Sequence, residues 1–197
     1  MNDQLLAFLD RLDEVLAPLA KEGECFNAYL LGRAALVMHY GFPLSTNDVD
    51  FVWMRESNLE QKAIDLLGKG SALAQSLGLY LDLVPQGLPP LPGGFRRRSV
   101  AVPGNWQVLR LWKLEVHDLA TTKLRSFRPK DRQDLQELCD RGLLDPAKLR
   151  ESLENAFPWR SPKAEDAEND PDNPDWSKAH ANFRRVEDYL NGKITSI

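Results

Sequence analysis

Three aspartates are the residues best placed to do chemistry in this sequence. Asp48 and Asp50 stand two apart in Asp48-Val49-Asp50-Phe51-Val52-Trp53, a β-rich run of strand length. Residues two apart on a strand face the same way, so both carboxylates project together while Val49 and Phe51 face a core. Two such carboxylates repel unless a cation sits between them. Magnesium suits the place, because it takes oxygen ligands and keeps other positions for water or phosphate. Asp82 is the only charge in the apolar run Leu79 to Val84, where a buried carboxylate needs a partner. A metal on Asp48 and Asp50 would supply that partner if the two strands are neighbours. Three carboxylates can hold two magnesium ions, one activating a hydroxyl and one holding a triphosphate and its leaving pyrophosphate. Alone, an Asp-x-Asp pair also reads as two exposed acids at a strand end.

Upstream, Leu30-Leu31-Gly32-Arg33-Ala34-Ala35 reads as a strand that opens directly into a helix. The free N–H groups of such a helix start attract phosphate, and glycine lets a ligand approach the backbone. Downstream, Lys123 to Arg132 holds Lys123, Arg125, Arg128, Lys130 and Arg132 against Asp131 alone. Arg125 and Arg128 read as an exposed helical face. Lys123 and Lys130 read as point-charge phosphate ligands. Asp131 and Asp134 either orient those lysines or form salt bridges along the helix. Arg96-Arg97-Arg98 reads as a solvated loop more readily than as a polynucleotide contact. His39, His117 and His180 lack zinc-site spacing, and the tryptophans read as core or anchoring residues.

The elements that must position these groups alternate early and turn helical later. An amphipathic helix covers residues 3 to 21, with Leu5, Leu9, Leu12 and Leu16 at helical spacing. An apolar stretch from Phe26 to Leu31 leads to a helix from about 33 to 40, which Gly41-Phe42-Pro43 ends. Strands are expected at 48–53 and 79–84, with a helix at 58–76 weakened by Gly68 and Gly70. Pro85 to Gly94 is a breaker region. Residues 99–102 and 107–111 suggest two more strands. Helices follow from 116 to 138 (interrupted near 127–129), from Pro146 to about 156, and from about 176 to 190. The stretch Ala164 to Asp175 has six acids and no bases, so residues 158–175 read as an acidic linker. The expected architecture is α+β: a mixed β-sheet core flanked by helices in residues 1–115, and a helical C-terminal part in 116–197.

Length and charge restrict the functional classes. The chain has 197 residues, 43% apolar and 27% charged, enough for a packed domain with an extension. A net charge of −4 argues against a surface that grips nucleic acid throughout. No positive leader and no apolar run of membrane-spanning length occur, and Cys25 and Cys139 read as reduced structural thiols, so a cytoplasmic location is expected.

The order Leu31-Gly32 then helix, Thr46-x-Asp48-Val49-Asp50, and a later Asp82 strand resembles the nucleotidyltransferase superfamily of the polymerase-beta type. More narrowly it is similar to small bacterial nucleotidyltransferases of the AbiEii-like kind, some of them toxins of toxin–antitoxin pairs. Asp118-Leu119-Ala120-Thr121-Thr122-Lys123-Leu124 followed by Lys130-Asp131-Arg132-Gln133-Asp134 is similar to the helical segment of that group. The resemblance spans about residues 27 to 140. It implies transfer of a nucleoside monophosphate from a nucleoside triphosphate (NTP), with two magnesium ions on Asp48, Asp50 and Asp82. It also implies a phosphate seat at Gly32 and the helix after it, assisted by Arg33, Thr46, Lys123 and Lys130.

Two positions depart from the pattern. The family has Gly-Gly or Gly-Ser at the turn where this chain has Gly32-Arg33, and often an arginine where this chain has Leu44. Arg33 either supplies phosphate-binding charge or blocks the pocket. The expected acceptor is a tRNA or other nucleic acid, a protein hydroxyl or a small molecule, with a cognate antitoxin as partner if the chain is a toxin. The competing readings are a catalytically degenerate nucleotide- or protein-binding module and, behind it, a metal-dependent phosphohydrolase.

Overall fold

The computed structural model describes residues 2–43, 46–54, 56–158 and 173–197. The fold is α+β, as the residue pattern implies, and the chain divides into two compact units. The first holds residues 1–88 and 99–114; the second holds 89–98 and 115–197.

In the first unit, helix α1 (Asp3–Leu16) buries Leu5, Phe8, Leu9, Leu12 and Leu16 on one face. Asn2 caps it by accepting the Leu5 N–H, and a short 3-10 turn through Pro18 follows it. Strand β1 (Phe26–Tyr29) leads to helix α2 (Gly32–Tyr40), and strand β2 (Asp48–Trp53) comes next. The helix expected over 58–76 is two: α3 (Leu59–Leu67) and α4 (Ala72–Leu77), with Gly68 as the cap between them and Ser71 capping α4. Strand β3 (Tyr80–Pro85) follows.

Strands β4 (Val100–Ala101) and β5 (Leu109–Lys113) complete this unit. β5 lies parallel to β1 and antiparallel to β4, whereas β2 and β3 form a separate parallel pair. An antiparallel bridge between Leu30 and Phe51 joins the end of β1 to β2. Phe26 and Phe51 meet edge to face beneath it, with ring centroids 6.0 Å apart. β5 starts later than its β-rich sequence suggests because Asp13 of α1 intervenes. Its buried carboxylate accepts the N–H groups of Gln107, Val108 and Leu109, each at 2.8 Å.

The second unit contains α5 (Phe95–Arg98), a short helix inside a stretch that reads as breaker and loop. It continues with α6 (Val116–Leu124), α7 (Pro129–Asp140), α8 (Pro146–Ala156) and α9 (Pro174–Leu190). Prolines in the first turn open α7, α8 and α9, where a missing N–H is harmless. Most of the acidic stretch at 158–175 lies outside the described residues. Among the described residues no helix is long and apolar enough to cross a membrane.

Candidate active site

The site is built on β2 and β3. Asp48 and Asp50 face away from Val49 and Phe51, which are buried. The parallel register sets Asp48 opposite Tyr80 and Asp50 opposite Asp82. Paired residues on neighbouring strands share a face about 4.8 Å apart, and alternate residues on one strand are about 6.6 Å apart. Three carboxylates and one phenol thus occupy the corners of a small rectangle. Asp48 and Asp50 are half-buried. Asp82 is exposed, so it is not the buried charge that its apolar neighbours suggested; Leu81 and Leu83 enter the core and leave it on the open face.

The electrostatics agree with this arrangement. Partial burial pushes the Tyr80 phenol above its ordinary value, and the charges of Asp48, Asp82 and Asp50 push it further in the same direction. All three carboxylates therefore act on one hydroxyl. Among the described residues neither Asp48 nor Asp82 has a hydrogen-bond or ion-pair partner.

The Gly32 turn adjoins this face through the backbone. The Leu31 N–H donates to the Asp50 carbonyl at 2.8 Å, beside the Leu30–Phe51 bridge. Gly32 has a φ of 58°, and a Cβ there would lie 2.1 Å from Asp50 Oδ2. The carboxylate of Asp50 thus rests against the first residue of α2, whose start has no side-chain cap. A negative charge is favourable at that end of a helix.

The other expected phosphate ligands are placed differently. Arg33 donates from Nε to the Pro43 carbonyl at 3.1 Å and lays its guanidinium 5.0 Å from the Phe42 ring centroid. It is engaged with the segment that follows α2. Thr46 is half-buried in the segment entering β2, and Leu44 lies outside the described residues. Lys123 and Lys130 belong to the second unit. Lys123 is buried and pairs with Asp134 at 2.6 Å and Asp131 at 4.0 Å. Asp131 and Asp134 thus hold Lys123 from the neighbouring helix α7. Lys130 is exposed in the first turn of α7.

The Asp118 block also forms internal pairs. Asp118, almost fully buried, accepts two bonds from Arg98 (2.9 and 3.0 Å) and one from Ser152. Glu115 caps α6 and bonds His117 Nδ1 at 2.7 Å. Together they line a cleft of about 290 Å³ whose polar floor is satisfied from within. Arg98, one of a run that reads as solvated, is thus a buried-pair partner; nothing local in the sequence announces this.

Magnesium fits the acid face in part. Among the described residues no three His, Cys, Asp or Glu side chains are gathered tightly enough to cage an ion. Magnesium does not require such a cage, since it is commonly held by one or two carboxylates with waters and substrate phosphates completing its shell. Asp82, without an ion-pair partner among the described residues, lies opposite Asp50 with Asp48 beside them, and the three meet that lesser demand.

No curated protein and no solved structure matches the chain. A family model does, over residues 7–184, nearly the whole chain and both units. The chain therefore belongs to the family described as nucleotidyltransferase of unknown function (DUF6036).

Proposed function

We propose that this protein is a magnesium-dependent nucleotidyltransferase that moves a nucleoside monophosphate from a nucleoside triphosphate to an acceptor hydroxyl. The carrying observation is the set of Asp48, Asp50 and Asp82 on one open face of β2 and β3, with Asp50 against the Gly32 turn. Magnesium bound there would neutralise the triphosphate and polarise the reacting phosphoryl group. Asp48 and Asp50 would hold it, and the start of α2 at Gly32 would seat phosphate oxygens with Thr46 at the edge. The acceptor oxygen attacks the α-phosphorus, a new P–O bond forms, and the bond to the bridging oxygen breaks to release pyrophosphate. Asp82, exposed and without an ion-pair partner among the described residues, is the carboxylate suited to take the acceptor's proton.

Arg33 has a supporting role in this reading. Its engagement with Phe42 and Pro43 holds the segment leading to Asp48, which favours an open site over a blocked one. Lys123 and Lys130 are left out of the phosphate ligands, the former because its buried partners would be stranded without it. The acceptor is an RNA end such as tRNA, a protein hydroxyl or a small molecule, and the setting is the cytoplasm. A toxin role with a cognate antitoxin is the furthest extension of the proposal. A catalytically inactive relative that binds nucleotide without metal is the second reading, favoured by the lack of a three-acid cage among the described residues.

The test is a transfer assay with each α-labelled nucleoside triphosphate, magnesium, bulk tRNA and cell extract, against an Asp48→Ala/Asp50→Ala control. Label on a macromolecule with the parent alone supports transfer and reveals the acceptor class. No label, together with triphosphate binding indifferent to magnesium, moves the assignment to the inactive relative.

A further inference from the structure

The loop between α3 and α4 brings a cation to the acid face that residue patterns do not single out. Gly68 ends α3 and forms a parallel bridge with Leu81 of β3, so the loop runs alongside that strand. A Cβ on Gly68 would lie 2.4 Å from the Ile64 carbonyl oxygen, so a side chain there would force the loop off this path. The next residue, Lys69, is exposed and holds its ammonium 5.7 Å from the centroid of the Tyr80 ring. That distance is within cation–π range. Tyr80 in turn stands opposite Asp48 and two residues before Asp82, on their face.

Three carboxylates nearby would ordinarily draw a lysine into an ion pair. Among the described residues Lys69 has none, and the Tyr80 hydroxyl has no hydrogen bond. The aromatic ring holds the ammonium at the border of the acid face and leaves its three N–H donors available. A lysine there is a compact, strongly hydrated point charge on a flexible stem, suited to a phosphate oxygen. A polyphosphate tail lying over three carboxylates needs cationic contacts on its outer side as well as metal on its inner side.

Resting on the nucleotidyltransferase reading, we propose that Lys69, positioned by the Tyr80 ring, is a ligand for the polyphosphate tail of the substrate. The residue is the phosphate-binding cation that Arg33, occupied with Phe42 and Pro43, does not supply in this chain.

Inorganic tripolyphosphate with magnesium serves as the probe, because it needs no knowledge of the base. Its affinity is measured by calorimetry for the parent, Lys69→Met, Lys69→Arg, Tyr80→Phe and Tyr80→Leu. Manganese binding without phosphate is measured on the same proteins by electron paramagnetic resonance. The expected result is a loss of about tenfold in tripolyphosphate affinity for Lys69→Met, with manganese binding unchanged. Lys69→Arg and Tyr80→Phe, which keep the charge and the ring, should stay within about threefold of the parent, and Tyr80→Leu should resemble Lys69→Met. Parent-like affinity in Lys69→Met overturns the inference and leaves the nucleotidyltransferase reading standing. A parent that binds neither tripolyphosphate nor any triphosphate with magnesium overturns that reading, and this inference with it.

Discussion

The Asp50 carboxylate occupies the space where a side chain on Gly32 would begin, with Oδ2 2.1 Å from the position of that missing Cβ. Gly32 also has a positive φ of 58°, so the position excludes other residues on two grounds. Gly32→Ala should lower stability by about 1–3 kcal/mol through backbone strain and displace Asp50 from the start of α2. Transfer activity should fall with it. Adding Asp50→Ala removes the clash but not the backbone strain, so urea denaturation of the double variant should show part of the stability recovered, without recovered activity. Full additivity of the two losses would mean that the residues do not meet as described.

Asp82 offers the opposite signature. It is exposed, lies opposite Asp50, and adds a third negative charge to a face that already has two. Like charges facing one another across strands are destabilising, by about 0.2–1 kcal/mol per pair. Asp82→Asn should therefore leave stability unchanged or slightly higher while abolishing transfer. Magnesium should raise the melting temperature of the parent more than that of the variant. An Asp82→Asn protein that is less stable but fully active would end the catalytic assignment.

His39 should set part of the acid stability. Burial, helped by the nearby charge of Lys113, lowers its pKa from 6.5 to about 4, and its Nε2 is buried without a hydrogen bond. The folded state thus resists protonation that the unfolded chain accepts readily. Between about pH 6.5 and 4 the unfolded state binds more protons, so stability falls as pH falls, by up to about 3 kcal/mol in all. Glu115 acts lower in the range. Burial alone would raise it, but the His117 hydrogen bond and charge and two backbone N–H groups hold it below its usual 4.5. Its contribution is therefore lost only as pH drops below about 4.5. Urea denaturation at pH 7 and pH 5 isolates the histidine: the parent should lose stability across that interval, and His39→Phe should lose much less.

The shared face of Asp48 and Asp50 is legible in the sequence because it depends on local pattern. Alternation of Asp48, Val49, Asp50 and Phe51 is enough to set both carboxylates on one side of a strand, and Gly32 before a helical run marks the turn. The pairing of β2 with β3 is non-local, so the opposition of Asp50 to Asp82 and of Asp48 to Tyr80 had no trace in either segment. The same reason hides Lys69, an ordinary loop lysine until the Gly68–Leu81 bridge sets it beside Tyr80. α5 is too short for any periodicity to reveal. The start of β5 is set by Asp13, almost a hundred residues earlier, whose carboxylate takes the N–H groups a longer strand would have used. The pairing of basic residues in the second unit is hidden for a related reason: nothing near Lys123 or Arg98 in the sequence shows the buried aspartate that each one meets.

Lys123 makes the last distinction measurable. Its side chain is 5% exposed, and the carboxylates of Asp131 and Asp134 are 7% exposed each. Asp131 also accepts bonds from Ser126, the Arg128 N–H and the Arg128 guanidinium, so it retains partners if the lysine is lost. Asp134 would be left as a buried charge deprived of its 2.6 Å ammonium. Lys123→Met should therefore destabilise the protein by about 3–5 kcal/mol, and Lys123→Met/Asp134→Leu should recover much of that loss, because removing both charges spares their desolvation. If the lysine acts only in this pair, the folded double variant should bind magnesium tripolyphosphate as tightly as the parent. A tenfold loss of affinity in a double variant with near-parent stability would instead return Lys123 to the phosphate ligands and mean that its ion pairs open when substrate binds.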